Sequence, residues 1–146
     1  YQINIMTGDN ALVLFPEILG ENVISIKNES ILKLEEDLKE IKEINTSFEE
    51  VNTTILNEKV LVNGHLKIQI SYLAIDDILY HQTITNSISE YIDIEGARPG
   101  MNVDIMPTIS LDKAKIEDDR LVQNSSLEIF VKITEDIQYN VSELSI

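Results

Sequence analysis

The 146-residue chain has no cysteine and no tryptophan, only three prolines and five glycines, and 11 basic side chains against 26 acidic ones. Without cysteine there are no disulfides and no thiolate metal sites, and the compartment stays open, because cysteine-free chains occur on both sides of a membrane. Nucleic-acid affinity comes mainly from Lys and Arg neutralising phosphates, so a net charge of -15 argues against that class of partner. It argues equally against docking on an anionic membrane surface. A solvated acidic surface explains the excess, and a basic partner or a cation would also fit it. No apolar run approaches the roughly 20 residues that span a bilayer. No basic-then-apolar leader is visible, and the chain begins at Tyr1 rather than Met, so it reads as a fragment.

Chemistry-bearing motifs are also missing. There is no phosphate-cradling glycine loop and no G-x-S-x-G elbow, and no D-x-D-x-D-G calcium loop. The adjacent carboxylates Asp76-Asp77, Asp118-Asp119, Glu35-Glu36 and Glu49-Glu50 sit side by side in sequence. Acid–base catalysis on a glycoside needs two carboxyls facing each other across a cleft. No catalytic set, cofactor or metal site is expected.

What the chain does have is alternation. In Val60 to Tyr72 the even positions are Val60, Val62, Gly64, Leu66, Ile68, Ile70 and Tyr72, and the odd ones include Asn63, His65, Lys67, Gln69 and Ser71. Such a period of two means a strand with one dry and one wet face. Gly64 on the dry face suggests a bulge, a bend or a close approach. Val103, Ile105, Ile109 and Leu111 repeat the pattern, with Pro107 in the dry register marking an edge strand or a bulge. Leu127, Ile129, Val131 and Ile133 repeat it again, although Phe130 breaks the polar side. Ile78, Tyr80 and Ile84 alternate likewise, as do Ile24 and Ile26 towards Leu32 and Leu34.

Short polar corners at Leu56–Lys59, Ala74–Asp77 and Ile116–Arg120 have the length of hairpin loops. They predict hairpins of Ile44–Ile55 with Val60–Tyr72, of Val60–Tyr72 with Ile78–Ile88, and of Val103–Lys115 with Leu121–Thr134. The fold class is therefore all-β, an antiparallel β-sandwich or partly open barrel of about six to eight strands. Ile31, Leu34, Leu38 and Ile41 fall at helical spacing, with Glu35–Lys39 as a favourable i,i+4 pair. That spacing predicts one short helix or turn near 36–42, between a strand ending at Leu34 and one starting at Ile44. The layout is an arm or extra edge strand over 1–20, a β domain over 21–136 and a tail over 137–146.

If Ala74–Asp77 is the hairpin corner, His65 faces the Asn86–Ser87 region and His81 faces Ile70 or Ser71. The two histidines then lie many ladder steps apart on the wet face, too far to share a metal and with no evident partner. The remaining feature is the corner "YIDIEGARPGM", Tyr91 to Met101. Pro99-Gly100 is the preferred central pair of a type II turn, and Gly96 relaxes the chain just before it. Backbone geometry explains Gly96, Pro99 and Gly100, but not Arg98, one of only two arginines. A five-donor guanidinium can staple its own loop or reach an acidic partner. Arg98, Met101 and Tyr91 are the candidate partner-binding residues.

Three pieces occur in order: "KVLVNGHLKIQISYL", "YHQTITNSISEYID", and "IEGARPGM" leading into an alternating strand. The series, from Glu21 to Glu135, resembles the SPOCS domain of SipL-type spore morphogenetic proteins and of coat or exosporium proteins in spore-forming Firmicutes. The resemblance implies a non-enzymatic module that builds spore surface layers through contacts with other coat or exosporium proteins, or with itself as a homo-oligomer. It implies a place in the coat or exosporium, or in mother-cell cytoplasm at the forespore surface. Its turn residues match here at Gly96, Pro99 and Gly100. The segment "EEDLKEIKEI" departs from the pattern, lacking a proline, and no LysM glycan-binding domain is present. A carbohydrate-binding module for peptidoglycan or cortex is the other reading. Aromatics are only 5% of the chain, and with Tyr72 and Tyr80 on dry registers only Tyr91, Tyr139 and Tyr1 remain for it.

Overall fold

The computed structural model describes residues 12–140, with side chains described for residues 15–137. Among the described residues six strands follow one another: β1 Leu12–Lys33, β2 Leu38–Leu56, β3 Lys59–Ala74, β4 Leu79–Asp93, β5 Asn102–Glu117 and β6 Arg120–Asn140. They form two antiparallel three-stranded sheets, ordered β1-β6-β5 and β2-β3-β4. No barrel closes, and the architecture is a β-sandwich. All three expected hairpins are present, β2–β3, β3–β4 and β5–β6. The parts of the N-terminal arm and C-terminal tail in residues 1–11 and 141–146 lie outside the described residues.

The core lies between the central strands. From β3, Val60, Val62, Leu66, Ile68, Ile70, Tyr72 and Ala74 point inward, and from β6 Leu121, Leu127, Ile129, Val131 and Ile133 do. Each of the valines, leucines and isoleucines among them contributes about 1.5–3 kcal/mol relative to exposure. Gly64 has its explanation in the Phe48 ring, which occupies the space a Cβ would take, with Cζ 2.5 Å from that position. The ring lies beside a β2 bulge between Glu49 and Asn52, where Glu50 adopts a positive φ of 52°.

The short helix near 36–42 is not formed, and β2 begins at Leu38. Two bulges account for the misleading spacing. Lys39 and Lys42 are each skipped in the pairing with β3, so Leu38, Ile41 and Ile44 face Ala74, Tyr72 and Ile70 in turn. An extra residue per bulge turns a period of two into a period of three, and three apolar residues at that interval imitate a helix.

Pro107 sits in β5, an edge strand, as its missing N–H requires. The bulge in β5 falls a little further on, between Ile109 and Leu111. It turns Leu111 outward and brings Asp112 partly inward. Asp112 Oδ1 accepts from the fully buried Gln123 at 2.6 Å and from Ser125 at 3.5 Å. Next to this cluster, Asn86 of β4 donates to Ser30 Oγ at 2.8 Å and to Asn28 Oδ1 at 3.3 Å on β1. Asn28 and Ser30 occupy the dry register of β1, so a polar row crosses the interior and joins the two sheets.

Because β6 is the central strand of its sheet, β5 has no pairing partner without it. A chain cut to residues 38–117 is expected to lose cooperative unfolding, measured by urea titration with far-ultraviolet circular dichroism. Cooperative melting of that fragment would contradict the topology.

Candidate functional site

The corner Ile94–Met101 carries the chain from β4 in one sheet to β5 in the other. Ile94 and Ala97 are buried, at 2% and 0% exposure, and they close one end of the sandwich. Ile94 lies so close to Gly20 of β1 that a Cβ there would stand 2.7 Å from Ile94 Cγ2. The backbone is held by Glu58 in the β2–β3 turn. Ile94 N–H donates to Glu58 C=O at 3.0 Å, and Glu58 N–H donates to Ala97 C=O at 2.8 Å. Gly96 N–H donates to Glu58 Oε2 at 2.8 Å. Across the sheets, Asn22 Nδ2 donates to Asp93 C=O at 2.8 Å. Glu58 carries no signal in the sequence beyond its place in a hairpin corner, because its role depends on a segment almost forty positions away.

Gly96 and Gly100 have φ of 87° and 96°, and Met101 N–H donates to Arg98 C=O at 3.3 Å. That bond and the left-handed Gly100 are the marks of the type II turn the sequence predicts. Met101 is half-buried and packs against the core. Arg98 is exposed, and its guanidinium makes no hydrogen bond or ion pair among the described residues. A rigid turn therefore presents a cation to solvent. Tyr91 is 57% exposed on the outer face of β4, with Lys59 Nζ 4.8 Å from the ring centroid, a cation–π contact that holds the phenol end of this surface.

The histidines fall where the hairpin register puts them, His65 opposite Ser87 and His81 opposite Ser71. Both acquire partners that the sequence did not reveal. Ser87 Oγ lies 3.5 Å from His65 Nδ1, and Glu50 Oε2 lies 3.3 Å from His65 Nε2. Ser71 Oγ lies 2.8 Å from His81 Nδ1. These groups stand on an open sheet face, with the Glu50 side chain 78% exposed. Among the described residues, no group of three or more His, Asp or Glu is placed to hold a metal ion.

At the opposite end of the sandwich, Tyr72 is buried and stacked on Tyr80, with ring centroids 5.4 Å apart. Burial pushes the Tyr72 phenol above its ordinary pKa. Tyr80 donates to Asp76 Oδ2 at 2.8 Å. That hydrogen bond, with the Asp76 charge, pushes Tyr80 up to about 12.

Gly100→Ala meets nothing within 4 Å, so its cost is conformational, about 1–2 kcal/mol. Arg98→Ala is expected to change stability by less than about 0.5 kcal/mol; thermal melts compare the two. In an ultraviolet titration, Asp76→Asn should bring the Tyr80 transition back towards 10. The folded-state pKa is raised, so the stabilisation of the neutral phenol is complete below pH about 10 and fades as pH rises towards 12.

No helix among the described residues is long and apolar enough to cross a membrane. No curated protein and no solved structure matches the chain. The family model described as SipL, SPOCS domain matches residues 37–117. That stretch takes in β2 to β5, the polar face with both histidines and the whole Ile94–Met101 corner, and the chain belongs to the SipL SPOCS-domain family.

Proposed function

We propose that this domain is a non-enzymatic structural and interaction module of the spore coat or exosporium, acting through contacts with other coat proteins or with copies of itself. The family points to a sporulation-related role, and one surface feature supports the finer reading. On the outer face of β1-β6-β5, Val23 pairs with Phe130 and Phe130 with Met106. These three side chains form a row straight across the sheet and are 55%, 37% and 66% exposed. The neighbouring rows are Glu21–Lys132–Asp104 and Ser25–Glu128–Thr108. An apolar strip with a charged and polar rim is the layout of a protein-contact patch. Arg98, held out on its turn, adds a donor for a carboxylate on the same class of partner.

The outer face of the other sheet favours a second reading, carbohydrate binding. Its rows Asn45–Gln69–Thr83, Ser47–Lys67–Thr85 and Asn52–Asn63–Ser89 present amides and hydroxyls, with Tyr91 at one end. Retention of coat or exosporium components from sporulating cells separates the two readings. The wild-type chain should retain them, and Phe130→Ser and Arg98→Ala should lose retention while melting normally. Binding to purified peptidoglycan with no retained coat protein would favour the second reading instead.

A further inference from the structure

Each sheet has two edge strands, and three of the four carry devices that block pairing with another chain. β1 has Pro16, Lys27, Lys33 and a bulge between Ile18 and Gly20. β2 has three register shifts. β5 has Pro107 and the shift between Ile109 and Leu111. Bulges, prolines and edge lysines are the usual protection against strand addition. β4 has none of them. Its sequence, LYHQTITNSISEYID, contains no Pro, Gly, Lys or Arg, and its pairing with β3 runs from Leu79 to Asp93 without a shift.

The direction of its free backbone groups follows from the ladder. Ala74 N–H donates to Ile78 C=O at 3.0 Å, so the even-numbered residues of β4 bond to β3 and the odd-numbered ones point away. Two contacts at the far end agree. Asp93 C=O accepts from Asn22, outside the sheet, and Ile94 N–H turns back to Glu58 on the β3 side. His81, Thr83, Thr85, Ser87, Ser89 and Tyr91 therefore offer an unbroken row of N–H and C=O groups at an edge that no other strand covers among the described residues.

We propose that β4 is the pairing edge of a symmetric dimer, in which a second copy of this chain adds its own β4 antiparallel and joins the two β2-β3-β4 sheets into one of six strands. The charge pattern selects both partner and direction. The only acidic side chains on β4 are Glu90 and Asp93, both near one end. Parallel pairing would set these carboxylates beside their own copies. Antiparallel pairing centred on Asn86 overlaps the strand in full and places Glu90 against Gln82 of the second copy and Asp93 against Leu79 of the second copy. It also sets Ile84 against Ile88 of the second copy, twice by symmetry. Both isoleucines are only half-buried in the single chain, although they pack on the core. Exchange of identical strand edges satisfies the self-complementarity that a two-fold interface requires.

This deepens the reading above and rests on its self-association arm, and it needs no spore component. Sedimentation equilibrium of the 146-residue chain should show a monomer–dimer equilibrium. Thr85→Pro removes an outward N–H and no bond to β3, so circular dichroism should be unchanged and the dissociation constant should rise about tenfold or more. A second measurement reads the register. Centred on Asn86, Thr83 lies opposite Ser89 of the second copy. The chain has no cysteine of its own, so oxidising a mixture of Thr83→Cys and Ser89→Cys variants should give mainly the mixed disulfide dimer. A chain that stays monomeric, a folded Thr85→Pro variant that still dimerises, or a mixture that gives only like-with-like dimers would each overturn the proposal. A monomer that nonetheless retains coat components overturns this dimer alone and leaves the proposed function standing.

Discussion

Burial of β3 against β6 is the constraint on which the rest of this structure depends. Both are central strands, and each sends a mainly apolar face into the space between the sheets, interrupted in β6 by Gln123 and Ser125. Neither face is dry without the other. The edge strands need less from the core and are free to carry bulges, prolines and polar positions. This division explains why β3 and β6 have the cleanest alternation in the chain while β2 and β5 are irregular. It also explains the corner at Ile94–Met101. A chain that leaves one sheet beside β3 must reach the other beside β6, and Ile94 and Ala97 close the end of the core as it crosses.

The polar row through the interior has a different use. Hydrogen bonds are directional, and Asn86 bonded to Asn28 and Ser30 ties β4 of one sheet to β1 of the other in this alignment. Gln123, Ser125 and Asp112 do the same within the β1-β6-β5 sheet. Low dielectric makes such groups costly unless they are paired, so the row favours one register over its neighbours.

The two outer faces are unlike. One carries the Val23–Phe130–Met106 strip with charged rows beside it, and the other carries amides, hydroxyls and both histidines. The family match, residues 37–117, covers the whole polar sheet but reaches only β5 of the apolar one. The apolar strip thus draws on Val23 and Phe130, outside the matched stretch, and on Met106 within it. A surface built from both regions is where this chain can differ in partner from others that share the matched part.

Legible in the sequence were the strands of period two, the three hairpins, a register that puts His65 against Asn86 or Ser87, an edge strand or a bulge at Pro107, and the turn at Pro99-Gly100. These follow from local rules, because side-chain alternation and the φ preferences of Pro and Gly act within a few residues. Phe130 already stood out as an apolar residue on a polar face, but its neighbours Val23 and Met106 lie more than twenty positions away and became a strip only through pairing. The helical spacing near Leu38 misled for a related reason, since a bulge is defined by the partner strand it skips. That Glu58 clamps the corner, that Asn86 reaches β1 and that β4 lies at a sheet edge came from the tertiary structure alone. Those outcomes depend on which strands become neighbours, and long-range pairing is settled by the joint burial of two faces rather than by the residues of either one.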